Sequence, residues 1–172
     1  GYGLALVPVN EFTPDGRPNL LVKGIPPEVT TKGLEISRPE IYYGESTTDH
    51  VYVQTGQKEF DYTDGQETLE TVYKGEGGIP IGSGIISRKL AFAWRFDGAK
   101  LFLSKYMIDG SKIMFHRDIR DRAKTIMPYF HYDQDPYLVI SEGRLKWIID
   151  GYVTTDRYPY SENYKGEFNY LR

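Results

Sequence analysis

His131 to Ser161 reads HYDQDPYLVISEGRLKWIIDGYVTTDRYPYS, and its middle part decides the fold. Leu138 and Ile140 alternate with Val139 and Ser141, and Leu145, Trp147 and Ile149 alternate with Lys146, Ile148 and Asp150. Two period-2 segments joined at Glu142-Gly143 predict a β-hairpin. Its inward face is Leu145, Trp147 and Ile149, because burying an indole removes a large apolar area from water at roughly 25 cal/mol per Å². Arg144 and Lys146 then face solvent.

Upstream, the chain reads as strands followed by helices. Gly1 to Val9 is apolar but carries Pro8, which suits an edge strand. Asn10 to Asn19 is a turn, Leu20 to Val22 a short strand, and Gly24-Ile25-Pro26-Pro27 a break. Strands are expected at Ile41 to Tyr43 and Val51 to Thr55, a short strand or turn at Glu59 to Tyr62, and an exposed loop at Thr63 to Glu70. Tyr73 to Gly82 holds four glycines, a density that demands positive φ or close backbone approach.

A helix is expected from Ser83 to Phe96, with Ile86, Leu90, Ala93 and Trp94 inward, Ser83 or Ser87 as cap and Gly98 as stop. A second short helix lies within Lys100 to Tyr106, and 111–116 is strand or helix. A third begins at an Asp118 cap, faces inward with Ile119, Ala123 and Ile126, and stops at Pro128. Without regular βαβ alternation, the class is α+β: a mostly antiparallel sheet with two or three short helices. At 172 residues the chain fits a single soluble domain spanning 1–172, with the Tyr-rich stretch 154–172 as a surface arm.

Twenty-one basic and 24 acidic residues give a net charge of −3, which argues against nucleic acid or an anionic membrane surface as partner. Arg117, Arg120, Arg122 and Lys124 are interleaved with Asp118 and Asp121, as on a solvated helix face. Cysteine is absent, which excludes disulfides and thiolate chemistry. No apolar run approaches the length needed to cross a bilayer, and no signal peptide is visible. A start at Gly1 without Met suggests a piece of a longer protein. Fifteen tyrosines favour strands and half-wet surfaces.

Chemistry concentrates near the hairpin. Asp133, Asp135 and Asp150, with His116, His131 and Asp156 nearby, are candidate ligands for a hard cation such as calcium; Asp133 and Asp135 also suit turn-capping. Glu142, Asp150 and Asp156 beside Trp147 are candidates for acid–base hydrolysis. The glycine-rich GEGGIPIG of 75–82 fits neither phosphate-loop template, and Gly82-Ser83-Gly84 is no nucleophile elbow. No cofactor is predicted. Tyr132, Tyr137, Trp147, Tyr152, Tyr158 and Tyr160 form a candidate contact surface, since aromatics are enriched in interface cores.

The run from Pro128 to Tyr137, continued by Gly143-Arg144-Leu145, Trp147-Ile148, Asp150, Tyr152 and Tyr158-Pro159-Tyr160-Ser161, resembles uncharacterised protein family 0182. So do Arg38 to Glu45, Glu59 to Tyr62, Gly75 to Gly78, Arg88 to Ala93 and Asn169 to Arg172. Met127, Tyr129, Gly151 and Val153 depart from its pattern in ways that affect packing. The resemblance implies a large membrane protein whose transmembrane helices lie outside this region, with the region on an extracytoplasmic face. It carries over no catalytic residue. The expected role is non-enzymatic: binding or assembly with other segments of the same protein, or homo-oligomerisation. The alternative is a metal-dependent binder or hydrolase using the carboxylates of 131–156.

Overall fold

A computed structural model describes residues 1–82, 86–96 and 98–157, and the backbone of 169–171. In chain order the strands and helices are β1 (Val22–Lys23), β2 (Glu28–Val29), β3 (Val51–Val53), β4 (Glu59–Asp64), β5 (Glu67–Thr71), β6 (Ile79–Pro80), α1 (Ile86–Arg95), α2 (Lys100–Leu103), β7 (Lys112–Met114), α3 (Ile119–Ile126), β8 (Phe130–Tyr132), β9 (Tyr137–Ser141), β10 (Arg144–Ile148), β11 (Gly151–Thr155) and β12 (Asn169–Leu171). Every strand pair in its sheets is antiparallel, and the class is α+β. Two compact units form: residues 1–47 with 118–172, and residues 48–117.

In the first unit β9 and β10 pair as the alternation predicts, with Leu138 opposite Trp147 and Ile140 opposite Leu145. Glu142 and Gly143 have φ of 54° and 72°, the left-handed pair that a tight two-residue hairpin loop requires. Leu145, Trp147 and Ile149 are half-buried while Arg144, Lys146 and Ile148 are exposed. The segment 37–44 runs beside this hairpin. Ser37 gives both its N–H and its hydroxyl to the Gly143 carbonyl at 2.8 Å, and Arg38 bridges Arg144 in parallel.

Ile41 to Tyr43 is therefore not a strand: its backbone is spent on single anchors, such as Ile41 N–H on the Gly1 carbonyl at 2.7 Å. Helix α3 starts where expected, Asp118 Oδ1 accepting from Arg120 and Asp121 N–H at 2.9 and 3.1 Å. A three-stranded sheet has β11 at its centre between β8 and β12. Thr154 and Thr155 pair with Tyr170 and Asn169, so both ends of the expected surface arm are strand, while 158–168 lie outside the described residues.

In the second unit β7 lies between β3 and β6, which makes the middle of 111–116, Lys112–Met114, a strand. Ile81, Ala93, Leu101 and Ile113 form its core, with Tyr52, Ile79, Phe92, Phe96 and Met107 packed against them. Gly82 is required by close approach: a Cβ there would stand 3.1 Å from three backbone atoms of Ile108 to Gly110. Thr63 to Glu70, expected as a loop, belongs instead to the β4–β5 hairpin, where Thr63 pairs with Thr68 and Asp64 with Glu67. Leu69 is the one apolar side chain in 63–70, so no apolar alternation betrayed the strands.

Helix α1 buries Ala93 as expected but turns the other three expected core residues outward. Ala93 is buried and Phe92 and Phe96 half-buried, whereas Ile86, Leu90 and Trp94 are 71%, 62% and 95% exposed. Phe96 decides the orientation. It stacks on His50 at 4.5 Å and meets Phe92 and Phe115 at 6.2 and 5.8 Å, aromatic contacts that a Trp94-inward helix would forfeit. Gly98, with its N–H on the Ala93 carbonyl at 2.6 Å, closes the helix as expected; Ser83 lies outside the described residues.

Candidate functional site

The carboxylates near the hairpin are set by the β8–β11 ladder. Gly151 pairs with Tyr132 and Tyr152 with His131, and the ladder runs on as Asp133 N–H donates to the Asp150 carbonyl at 2.9 Å. That pairing brings Asp133 and Asp150 side by side, which sequence spacing could not show. The Asp133 carboxylate accepts from the Gln134 N–H at 2.6 Å, a local turn bond, and Asp135 is exposed ahead of the buried Pro136. Among the described residues no three histidine or acidic side chains gather closely enough to hold a metal ion, so Asp133, Asp135 and Asp150 do not converge as a cation site.

Glu142 sits in the hairpin turn, within 3.9 Å of Lys146, and Asp150 lies beyond the far end of β10. At about 3.3 Å per residue they stand roughly 20 Å apart, against the roughly 5 to 10 Å that separates a glycosidase pair. Asp156 is exposed beside Arg157. Glu142 and Asp150 are therefore not assembled for paired acid–base work.

Of the aromatic candidates, two are bound up inside the first unit. Trp147 Nε1–H donates to the Tyr43 carbonyl at 2.8 Å. The Tyr132 hydroxyl reaches the Ala123 and Met127 carbonyls at 3.2 and 3.1 Å, capping the end of α3. Tyr152 is half-buried, Tyr137 is 51% exposed, and Tyr158 and Tyr160 lie outside the described residues. Free apolar surface is found elsewhere. Ile126, Met127 and Tyr129 are 62%, 43% and 67% exposed around the exposed Pro128, four consecutive apolar residues where α3 ends. The sequence pattern pointed to Ile126 as inward because it shares a face with Ile119, but Ile126 is exposed in the helix's last turn.

The second unit holds an open cleft of about 370 Å³ lined by Val51, Tyr52, Thr55, Glu59, Ser104 and Met107, among others. Its rim is polar, and part of that polarity is spent internally: Thr55 Oγ1 bonds the Gln57 backbone, and Lys58 pairs with Glu70 at 3.6 Å. The exposed stripe of α1 is the unit's other conspicuous surface. Between Ile86 and Lys105 the sequence carries five basic residues and one acidic, in a chain whose net charge is −3. That local excess escaped the composition because the cations are spaced among apolar residues instead of standing in a run.

Comparisons with known proteins place the region. The profile of the uncharacterised protein family UPF0182 matches residues 1–172. A UPF0182 protein of Pelotomaculum thermopropionicum is 44% identical over 172 residues, covering all of this chain and 18% of the relative. Those of Trichodesmium erythraeum and Solibacter usitatus are 43% and 41% identical, covering 94% and 100% of this chain but 17% and 19% of themselves. The chain thus spans under a fifth of the length of these three relatives. No solved structure matches it. No described helix is long and apolar enough to cross a membrane. With its whole length matched, the chain belongs to the uncharacterised protein family UPF0182.

Proposed function

We propose that the chain is a binding and assembly module of a longer, membrane-tethered protein, held on an extracytoplasmic face, and that the apolar end of α3 contacts other segments of that protein. The observation that carries this reading is the imbalance of the first unit. Among its described residues Val22 and Ile119 are the only buried apolar side chains besides Pro136, while Ile126, Met127, Tyr129, Tyr137, Ile148 and Val153 stay exposed. A unit of this length gains most of its stability from apolar burial, and a run of exposed apolar residues at one place marks a contact more than scattered ones do. The short share of each relative that the chain spans supplies a source for the cover. The membrane setting rests on the family resemblance.

The test co-expresses the tagged chain with the remainder of the longer protein it is proposed to belong to, as a separate polypeptide. The two should co-purify in mild detergent. Ile126→Ser with Tyr129→Ser should cut retention at least tenfold while leaving the chain's thermal midpoint in place, because both side chains are exposed. Failure to co-purify sinks the reading. A chain that instead forms a stable dimer alone, broken by the same pair, would move the contact to a second copy.

A further inference from the structure

We propose that helix α1 is an interfacial helix that seats the second unit on an anionic lipid bilayer. Ile86, Leu90 and Trp94 recur at four-residue spacing, which places them along one side of the helix. They are 71%, 62% and 95% exposed. Such a stripe gains by leaving water, and an indole at its end is suited to the boundary between headgroups and acyl chains, where one part of the ring is apolar and its N–H stays wet. Arg88 and Arg95, seven residues apart and exposed, share another side of the same helix.

No acidic residue lies within α1. Helix α2 leaves Phe102 and Leu103 exposed at 42% and 82%, with Lys100 and Lys105 exposed beside them. An apolar stripe on one side of the helix and arginines on the other, with the α2 lysines exposed as well, are complementary to a surface that is both apolar beneath and negative above. Anionic lipid has both properties. A nucleic acid would answer the cations but leave Ile86 and Leu90 unrewarded, since single strands are held by stacking on aromatic faces. An apolar protein groove would answer the stripe but leave the arginines without partners of opposite sign.

This surface belongs to the second unit, so it stands or falls apart from the contact proposed at the end of α3. The intact chain is sedimented with vesicles of phosphatidylcholine alone and with vesicles of equal parts phosphatidylcholine and phosphatidylglycerol, while tryptophan emission is followed. Binding is expected to the anionic vesicles, with a blue shift that Trp94→Tyr removes, and little binding to neutral ones. Arg88→Gln with Arg95→Gln should lower partitioning by about thirtyfold, from roughly 1 kcal/mol per cation near a negative surface, and Leu90→Ser should lower it without moving the thermal midpoint. Absence of binding to anionic vesicles overturns the proposal. So does equal binding to neutral vesicles, Trp94 quenching by oligonucleotide that outcompetes the vesicles, or self-association that covers Trp94 before lipid is added.

Discussion

The indole N–H of Trp147 donates a 2.8 Å hydrogen bond to the carbonyl of Tyr43, 104 residues earlier in the chain. The Tyr43 ring in turn lies under the Arg122 guanidinium at 4.8 Å, and the next carbonyl, Gly44, accepts the Ile119 N–H at 3.2 Å. The hairpin, the segment 37–44 and α3 are thus fastened at one place. Trp147→Phe keeps most of the apolar ring but leaves the Tyr43 carbonyl without its donor, which should cost about 1 to 3 kcal/mol. Urea unfolding followed by far-ultraviolet circular dichroism would measure it. An unchanged midpoint would mean that the fastening carries no stability.

Glu142 occupies the left-handed region with φ of 54° ahead of Gly143 at 72°. Asparagine tolerates that conformation far better than glutamate and completes the Asn-Gly pair favoured in such loops. Glu142→Asn should therefore stabilise the chain by about 0.5 to 1 kcal/mol, since the exposed 3.9 Å ion pair to Lys146 that it removes is worth little. A lower thermal midpoint for this variant would show that the ion pair outweighs the backbone strain.

Where each element announces itself with a local signal, the sequence was sufficient. The β9–β10 hairpin has clean alternation around a two-residue turn, and α3 has a carboxylate cap at Asp118 and Pro128 beyond its end. Helix α1 has two apolar stripes at helical spacing, Ile86/Leu90/Trp94 and Phe92/Ala93/Phe96, and nothing local chooses between them. The choice is made by His50 and Phe115, which reach Phe96 from distant parts of the chain. The β4–β5 hairpin was legible only at Glu59 to Tyr62, because Thr63 to Glu70 carries a single apolar side chain, Leu69, and so shows no apolar alternation. For the candidate site, the acidic residues were identifiable but their neighbours were not. Asp133 meets Asp150 only through the β8–β11 register, and the exposure of Ile126 to Tyr129 depends on where packing stops.

The Asp133 carboxylate is engaged by the adjacent Gln134 N–H at 2.6 Å, which gives its isosteric change and its truncation different outcomes. Asp133→Asn keeps an acceptor oxygen and should leave stability within about 0.5 kcal/mol, whereas Asp133→Ala loses the turn bond and should cost about 0.5 to 1.5 kcal/mol. Millimolar calcium, magnesium or zinc should leave the thermal midpoint within a degree or so of its value in chelator. A cation held at 100 times its dissociation constant would instead raise stability by about 2.7 kcal/mol. A selective rise lost in both variants would show that Asp133 ligates a cation after all.

Ser111 is fully buried, and its hydroxyl links two loops: it accepts from the Ile108 N–H at 3.0 Å and donates to the Gln54 carbonyl at 3.2 Å. Gln54 needs such holding, for its φ is +54°; its side chain also donates to the Tyr73 carbonyl at 3.3 Å. Ser111→Ala removes a single oxygen from beside the unit's core and leaves the Ile108 N–H and the Gln54 carbonyl without their partner, so the cost should be about 2 kcal/mol. In a chain of this length that is a fall of about 4 to 8 °C in thermal midpoint. Ser111→Thr would keep the hydroxyl but add a methyl where the side chain is already fully enclosed, and should also destabilise. Ser111→Gly should fall below Ser111→Ala, because it adds backbone freedom to the same two lost bonds. If alanine proves neutral, water must reach Ile108 and Gln54, and the junction between β3 and the loop before β7 is looser than its distances imply.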